Sequence, residues 1–119
     1  MRILFFSNLH PTPWQPGRGV FNANLVEGLR EAGHACRVDG REQQGSPQAH
    51  VADAGFLPWF HPPLVRRDLW DRWMWWSVRR ELVAEARAFA PDVVLGGWVR
   101  PDGAVGVRLA RRLGVPAAV

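Results

Sequence analysis

The chain has 119 residues, 47% of them hydrophobic and 22% charged, which fits one compact globular domain and excludes collagen-like, mucin-like and fully disordered classes. Fifteen basic residues against eleven acidic give a formal charge of +4, yet every basic residue is arginine and isoleucine is almost absent, so a GC-rich coding source accounts for the basicity and no nucleic-acid partner is expected. A lone cysteine, Cys36, makes neither an internal disulfide nor a CxxC metal clip, which points to a reducing compartment, the cytoplasm.

Met1-Arg2 precedes Ile3-Leu4-Phe5-Phe6, an apolar run too short for a signal peptide and closed by Ser7-Asn8, the pattern of a strand buried on both faces. His10 to Gly19 holds three prolines and two glycines and reads as an irregular connection. Phe21, Leu25, Leu29 and Ala32 then recur at helical spacing, with Asn22, Glu27, Arg30 and Glu31 elsewhere on the wheel, and Gly33 stands where a helix commonly ends left-handed. Ala35 to Val38 reads as a second strand, ending at Asp39-Gly40. Arg41 to Ala54 is polar and without period, a surface loop or an eroded strand. Gly55 to Pro63 is apolar but broken by proline, an extended packing segment.

A long helix is predicted from an N-cap at Asp68 to about Ala90, where Pro91 stops it. Asp92-Val93-Val94-Leu95 is the next buried strand. Gly96-Gly97-Trp98 ends it, Pro101 suits a first helical turn, Val105, Leu109 and Leu113 share a helix face, and Gly114 closes that helix before a strand beginning at Val115. Strand and helix alternate throughout, which predicts an α/β three-layer sandwich with a parallel sheet and right-handed crossovers. The pattern stops inside a strand, at Pro116 to Val119, so we expect a single domain over residues 1–119 that is part of a longer protein. No run approaches the roughly 18 to 20 apolar residues of a membrane span.

Ligands of open α/β sheets bind at the carboxyl ends of the strands, so the loops after Phe6, Val38 and Leu95 are the places to search. Gly17 and Gly19 stand at the first helix start, where free N–H groups and the helix dipole favour a phosphate, and Arg18 adds a charge able to pair with it bidentately. The bland alternative is that these residues only shape a turn. Gly17-x-Gly19-x-x-Asn22, with Asp39 about twenty residues after Gly19, also approaches a dinucleotide fingerprint with its ribose carboxylate. Asn22 in place of a third glycine, and the long gap between strand and glycines, count against it.

In the third loop Asp102 reads first as a helix cap, and Trp98 either packs in the core, the commoner fate, or stacks on a sugar. His10, His34, His50 and His61 have no metal-ligand spacing, and no DxD motif is present. Cys36 reads as a buried thiol, and His34 as a residue bonding the carbonyls that end the first helix. In the long helix Trp70, Trp73, Trp75 and Trp76 are interleaved with Arg72, Arg79 and Arg80 and spread around the wheel. Contact with an anionic lipid surface is one reading; packing against Pro58 to Pro63 and a further domain is the other, and the one favoured here.

Pro13-Trp14-x-Pro16-x-Arg18-Gly19-x-Phe21, then Leu29-x-x-x-Gly33-His34, Pro91-Asp92-Val93-Val94, Trp98-x-x-Pro101-Asp102-Gly103 and the run from Arg108 to Pro116 together resemble the N-terminal domain of family 4 glycosyltransferases. The resemblance spans most of the chain except Arg41 to Ala54. It implies a GT-B architecture in which this Rossmann-like domain holds mainly the acceptor, a glycan or lipid-linked sugar, while a C-terminal domain binds a nucleotide-sugar donor. It further implies a retaining transfer without a bound metal or other cofactor, in the cytoplasm or at the inner face of the membrane. Trp14, Gly17, Arg18, Gly19, Trp98 and Asp102 become the expected substrate-binding residues. Many relatives carry histidine where this chain has Gly96-Gly97, so no catalytic residue is assigned. A nicotinamide or flavin dinucleotide-binding module and a non-catalytic lipid-surface domain are the competing classes.

Overall fold

A computed structural model describes residues 1–7, 16–17, 19–39 and 69–119. Four parallel strands, β1 (Arg2–Phe6), β2 (Ala35–Asp39), β3 (Val93–Gly96) and β4 (Ala117–Ala118), form one sheet in the order β2-β1-β3-β4. Helices α1 (Val20–Glu31), α2 (Trp70–Phe89) and α3 (Ala104–Leu113) connect them, with a π-helical turn at Val99–Gly103 leading into α3. The fold is therefore a small α/β fold on a parallel sheet, as the alternation predicts.

β1 is central because its side chains are apolar on both faces: Ile3, Leu4, Phe5 and Phe6 are all 2% exposed or less. It pairs Ile3 with Cys36 on one side and with Val93 on the other. Leu4, Phe6 and Val94 share one face with Met74, Val78, Leu82 and Ala86 of α2 and Val105, Leu109 and Ala110 of α3. Each of the larger side chains among them contributes about 1.5–3 kcal/mol of burial. Ile3, Phe5 and Ser7 alternate to the other face, where α1 is anchored by a hydrogen bond from Asn22 Nδ2 to Ser7 Oγ, 2.9 Å long.

Helix α1 is rotated from the expected orientation. Its buried residues are Asn22 and Val26, while Phe21 is 78% exposed and Leu25 41%. The hydroxyl of Ser7 satisfies the Asn22 amide, so a polar residue occupies the sheet-facing stripe at little desolvation cost and displaces the bulkier apolar stripe to the surface. The helix stops agree with expectation: Gly33 and Gly114 are left-handed at φ 88° and 74°. Ala90, the one non-glycine residue of positive φ among those described, ends α2 before Pro91. Leu69 precedes α2 without a capping side chain; the expected Asp68 cap, the segments Arg41 to Ala54 and Gly55 to Pro63, and His10, His50 and His61 lie outside the described residues.

The Pro91-Asp92 dipeptide is structural. Asp92 Oδ2 accepts a 2.7 Å bond from the Arg2 backbone N–H, and the Arg2 guanidinium reaches the Phe89 carbonyl and lies 4.7 Å from its ring centroid, so the end of α2 is tied to the start of β1. His34 donates its backbone N–H to the Leu29 carbonyl, and the N-terminal amine of Met1 donates to its Nδ1. Cys36 is half-buried in β2, and burial pushes its thiol up against the opposing pull of Arg30, away from the thiolate a nucleophile needs.

Candidate functional site

The strand order creates a switch point. From β1 the chain passes to one side, to β2, and from β3 to the other, to β4. The paths diverge above the carboxyl ends of β1 and β3, where open sheets of this kind take their ligands. Three residues that sequence reasoning did not single out as a site meet there. The Gly97 N–H donates to the Phe6 carbonyl at 2.9 Å. A Cβ on Gly97 would lie 2.8 Å from Ser7 Oγ and 3.3 Å from Asn22 Nδ2. Ser7, Asn22 and Gly97 therefore pack so closely that no larger residue fits at 97 without displacement.

Gly96 is confined in the same way, since a Cβ there would come within 2.6 Å of the Gly103 Cα. A pair of glycines lets the π-helical turn fold back onto β3, closed by a hydrogen bond from the Gly103 N–H to the Trp98 carbonyl. These clashes give a physical reason why this chain has no side chain, histidine included, at either position.

At the start of α1, Gly19 is left-handed at φ 68°, and its carbonyl accepts from the N–H groups of Asn22 and Ala23. Among the described residues no side chain caps this terminus, and no acidic residue lies in its first turn, so the positive end of the dipole is uncompensated from within the helix. Gly17 is exposed beside it. Trp14 and Arg18 lie outside the described residues.

Trp98 is 56% exposed and Val99 74%, which corrects the core-packing expectation for the indole. Asp102 is 1% exposed within the π-helical turn, and Gly103, not Asp102, stands at the position before α3. The expected cap is displaced because helical winding begins earlier, at Val99.

Asp39 is the last residue of β2, not a turn residue, and it is buried. Its backbone carbonyl accepts from the Ser7 N–H. Its Oδ1 accepts a 2.8 Å bond from Arg37 Nε, Arg37 in turn donates to Glu85 of α2 at 2.6 Å, and Asp39 Oδ2 has no partner among the described residues. Burial raises the Asp39 carboxyl above its ordinary value, with the Arg37 hydrogen bond and charge opposing.

Among the described residues no group of three or more His, Cys, Asp or Glu side chains is placed to hold a metal ion, and no helix is long and apolar enough to cross a membrane. No protein-family model, curated protein or solved structure matches the chain. The class defined is thus an α/β fold on a parallel sheet, with a switch-point edge built from Ser7, Gly19, Asn22, Gly97 and Trp98.

Proposed function

We propose that this chain is the acceptor-side domain, a Rossmann-like three-layer sandwich, of a retaining glycosyltransferase of GT-B architecture. The enzyme moves a sugar from a nucleotide-sugar donor to a glycan or lipid-linked acceptor without a metal or other cofactor, on the cytoplasmic side of the membrane. Beyond the sequence resemblance, the observation that carries this reading is the exposed indole of Trp98 at the carboxyl end of β3. A flat apolar face at a switch-point edge suits stacking on a pyranose ring. The uncapped start of α1 at Gly19 fits a phosphate of the donor, and Gly17 and Arg18 would complete that cradle. Asp102 is 1% exposed, so its carboxylate is not open to a ligand beside Trp98.

In the full-length protein, Trp98→Ala should leave folding intact and weaken acceptor use, raising its KM. Unchanged kinetics with every acceptor that supports transfer would remove Trp98 from the site.

The unpartnered Asp39 Oδ2 favours a second reading, a NAD or FAD dinucleotide-binding module of an oxidoreductase, since a ribose hydroxyl could donate to it. The Arg37 and Glu85 ion pairs and Asn22 at the third glycine position favour the transferase. Loss of NAD affinity in Asp39→Ala, with no sugar transfer detected, would decide for the dinucleotide.

A further inference from the structure

Helix α1 turns Asn22 and Val26 to the sheet and leaves Phe21 and Leu25 in the open, 78% and 41% exposed. Two contacts orient it. The Arg30 guanidinium donates to the Cys36 carbonyl at 3.2 Å, so that flank faces β2. Asn22, on the other flank, lies against Gly97 past the end of β3, its Nδ2 3.3 Å from where a Cβ would stand. Leu25 and Phe21 follow Asn22 around the helix, away from Arg30, and therefore look out over β3. Phe21 belongs to the first turn, so it stands at the same end of the sheet as the exposed Trp98. Beneath them Leu95 shares a sheet face with its partner Phe5, yet Phe5 is 1% exposed while Leu95 is half-buried. Helix α1 covers β1 and leaves β3 open. Its charged residues Glu27, Arg30 and Glu31 all lie at least about 120° around the helix from Leu25. An apolar ledge results, with Phe21 and Leu25 as its wall, Leu95 as its floor and Trp98 at its carboxyl end.

Resting on the transferase reading, we infer that this ledge takes an aromatic aglycone of the acceptor, with Phe21 as a further binding residue that sets acceptor preference. The sugar stacks on Trp98, and the ring attached to it runs onto the ledge beside Phe21. The lining carries the choice of chemistry. A further sugar unit placed there would turn its hydroxyls to Phe21, Leu25 and Leu95 and leave them unpaired, whereas an uncharged ring packs offset or edge-on against Phe21. A flexible alkyl chain would lose rotational freedom on a surface open along one side, a cost that a rigid ring avoids. The exposure of Phe21 thus has a use that the fold does not supply, since the core is built without it.

Saturation-transfer NMR of the full-length protein with phenyl, hexyl and methyl β-glucosides tests this by binding alone, without any transfer. Phenyl glucoside should bind more tightly than hexyl glucoside, whose chain has the same number of carbons, and methyl glucoside should bind more weakly than either. Phe21→Ala should keep a near-native melting temperature, weaken phenyl glucoside about two- to tenfold and leave methyl glucoside unchanged. Trp98→Ala should weaken all three. Hexyl glucoside binding as tightly as phenyl glucoside or more so, or phenyl glucoside binding Phe21→Ala as it binds the wild type, would overturn the inference. If Trp98→Ala alone loses binding, the transferase reading stands without the aglycone ledge; if neither variant matters, Trp98 leaves the site as well. Self-association of the protein that Phe21→Ala abolishes would assign the ledge to a second copy and overturn the inference too.

Discussion

Gly97 shows how closely the candidate site is built. A methyl group there would sit 2.8 Å from the Ser7 hydroxyl oxygen and 3.0 Å from its Cβ, so Gly97→Ala should cost about 1–3 kcal/mol, read as a lower melting temperature. Asn22→Ala leaves the buried Ser7 hydroxyl without its Asn22 donor and should cost about 1–3 kcal/mol; a fully stable variant would mean that the Ser7 bond does not anchor α1. Asp39 titrates against the usual carboxylate direction. Its raised folded value makes the ionised form costly at neutral pH, and that cost is relieved as pH falls through the raised value toward about 3.9. The melting temperature of the wild type relative to Asp39→Asn should therefore improve as pH falls from about 7 to about 4, and a gap that widens against the wild type would reverse the assignment. Asp39 was legible as a candidate ribose carboxylate, but the meeting of Ser7, Asn22 and Gly97 was not. Ser7 and Asn22 are ordinary polar residues fifteen positions apart, and only the parallel pairing of β1 with β3 brings Gly97 between them.

Elements were more legible than faces. The buried run of β1, the helix-ending glycines at 33 and 114, and the Val105, Leu109, Leu113 stripe of α3 all follow from period and turn chemistry, because each depends on local sequence. Helix α1 carries two overlapping stripes, Phe21-Leu25-Leu29-Ala32 and Asn22-Val26-Leu29. Hydropathy favours the first, but the tertiary bond from Asn22 to Ser7 selects the second. The two stripes make opposite predictions. Val26→Ala should destabilise by about 1–3 kcal/mol, whereas Phe21→Ala should stay within about 0.5 kcal/mol of the wild type. Chemical denaturation of both variants compares them directly, and the reverse ranking would restore the orientation that hydropathy suggests.

At the scale of the molecule, the order β2-β1-β3-β4 sets four short strands in a frame with a switch-point edge, along which the proposed function would seat a donor phosphate near Gly19 and a sugar beside Trp98. Alternation of strands and helices was enough to foresee the parallel sheet. It could not locate the switch point, which depends on which strands are neighbours and not on their sequence order. The most direct test is a sugar-transfer assay on the full-length protein with a panel of nucleotide-sugar donors, comparing the wild type with Arg18→Ala and Gly19→Val. A valine at Gly19 strains the left-handed φ of 68° and crowds the helix start, whereas Arg18→Ala removes a charge without altering backbone preference so severely. The wild type should transfer sugar and Arg18→Ala should lose transfer at a near-native melting temperature; transfer by Arg18→Ala at the parental rate would contradict the proposed site.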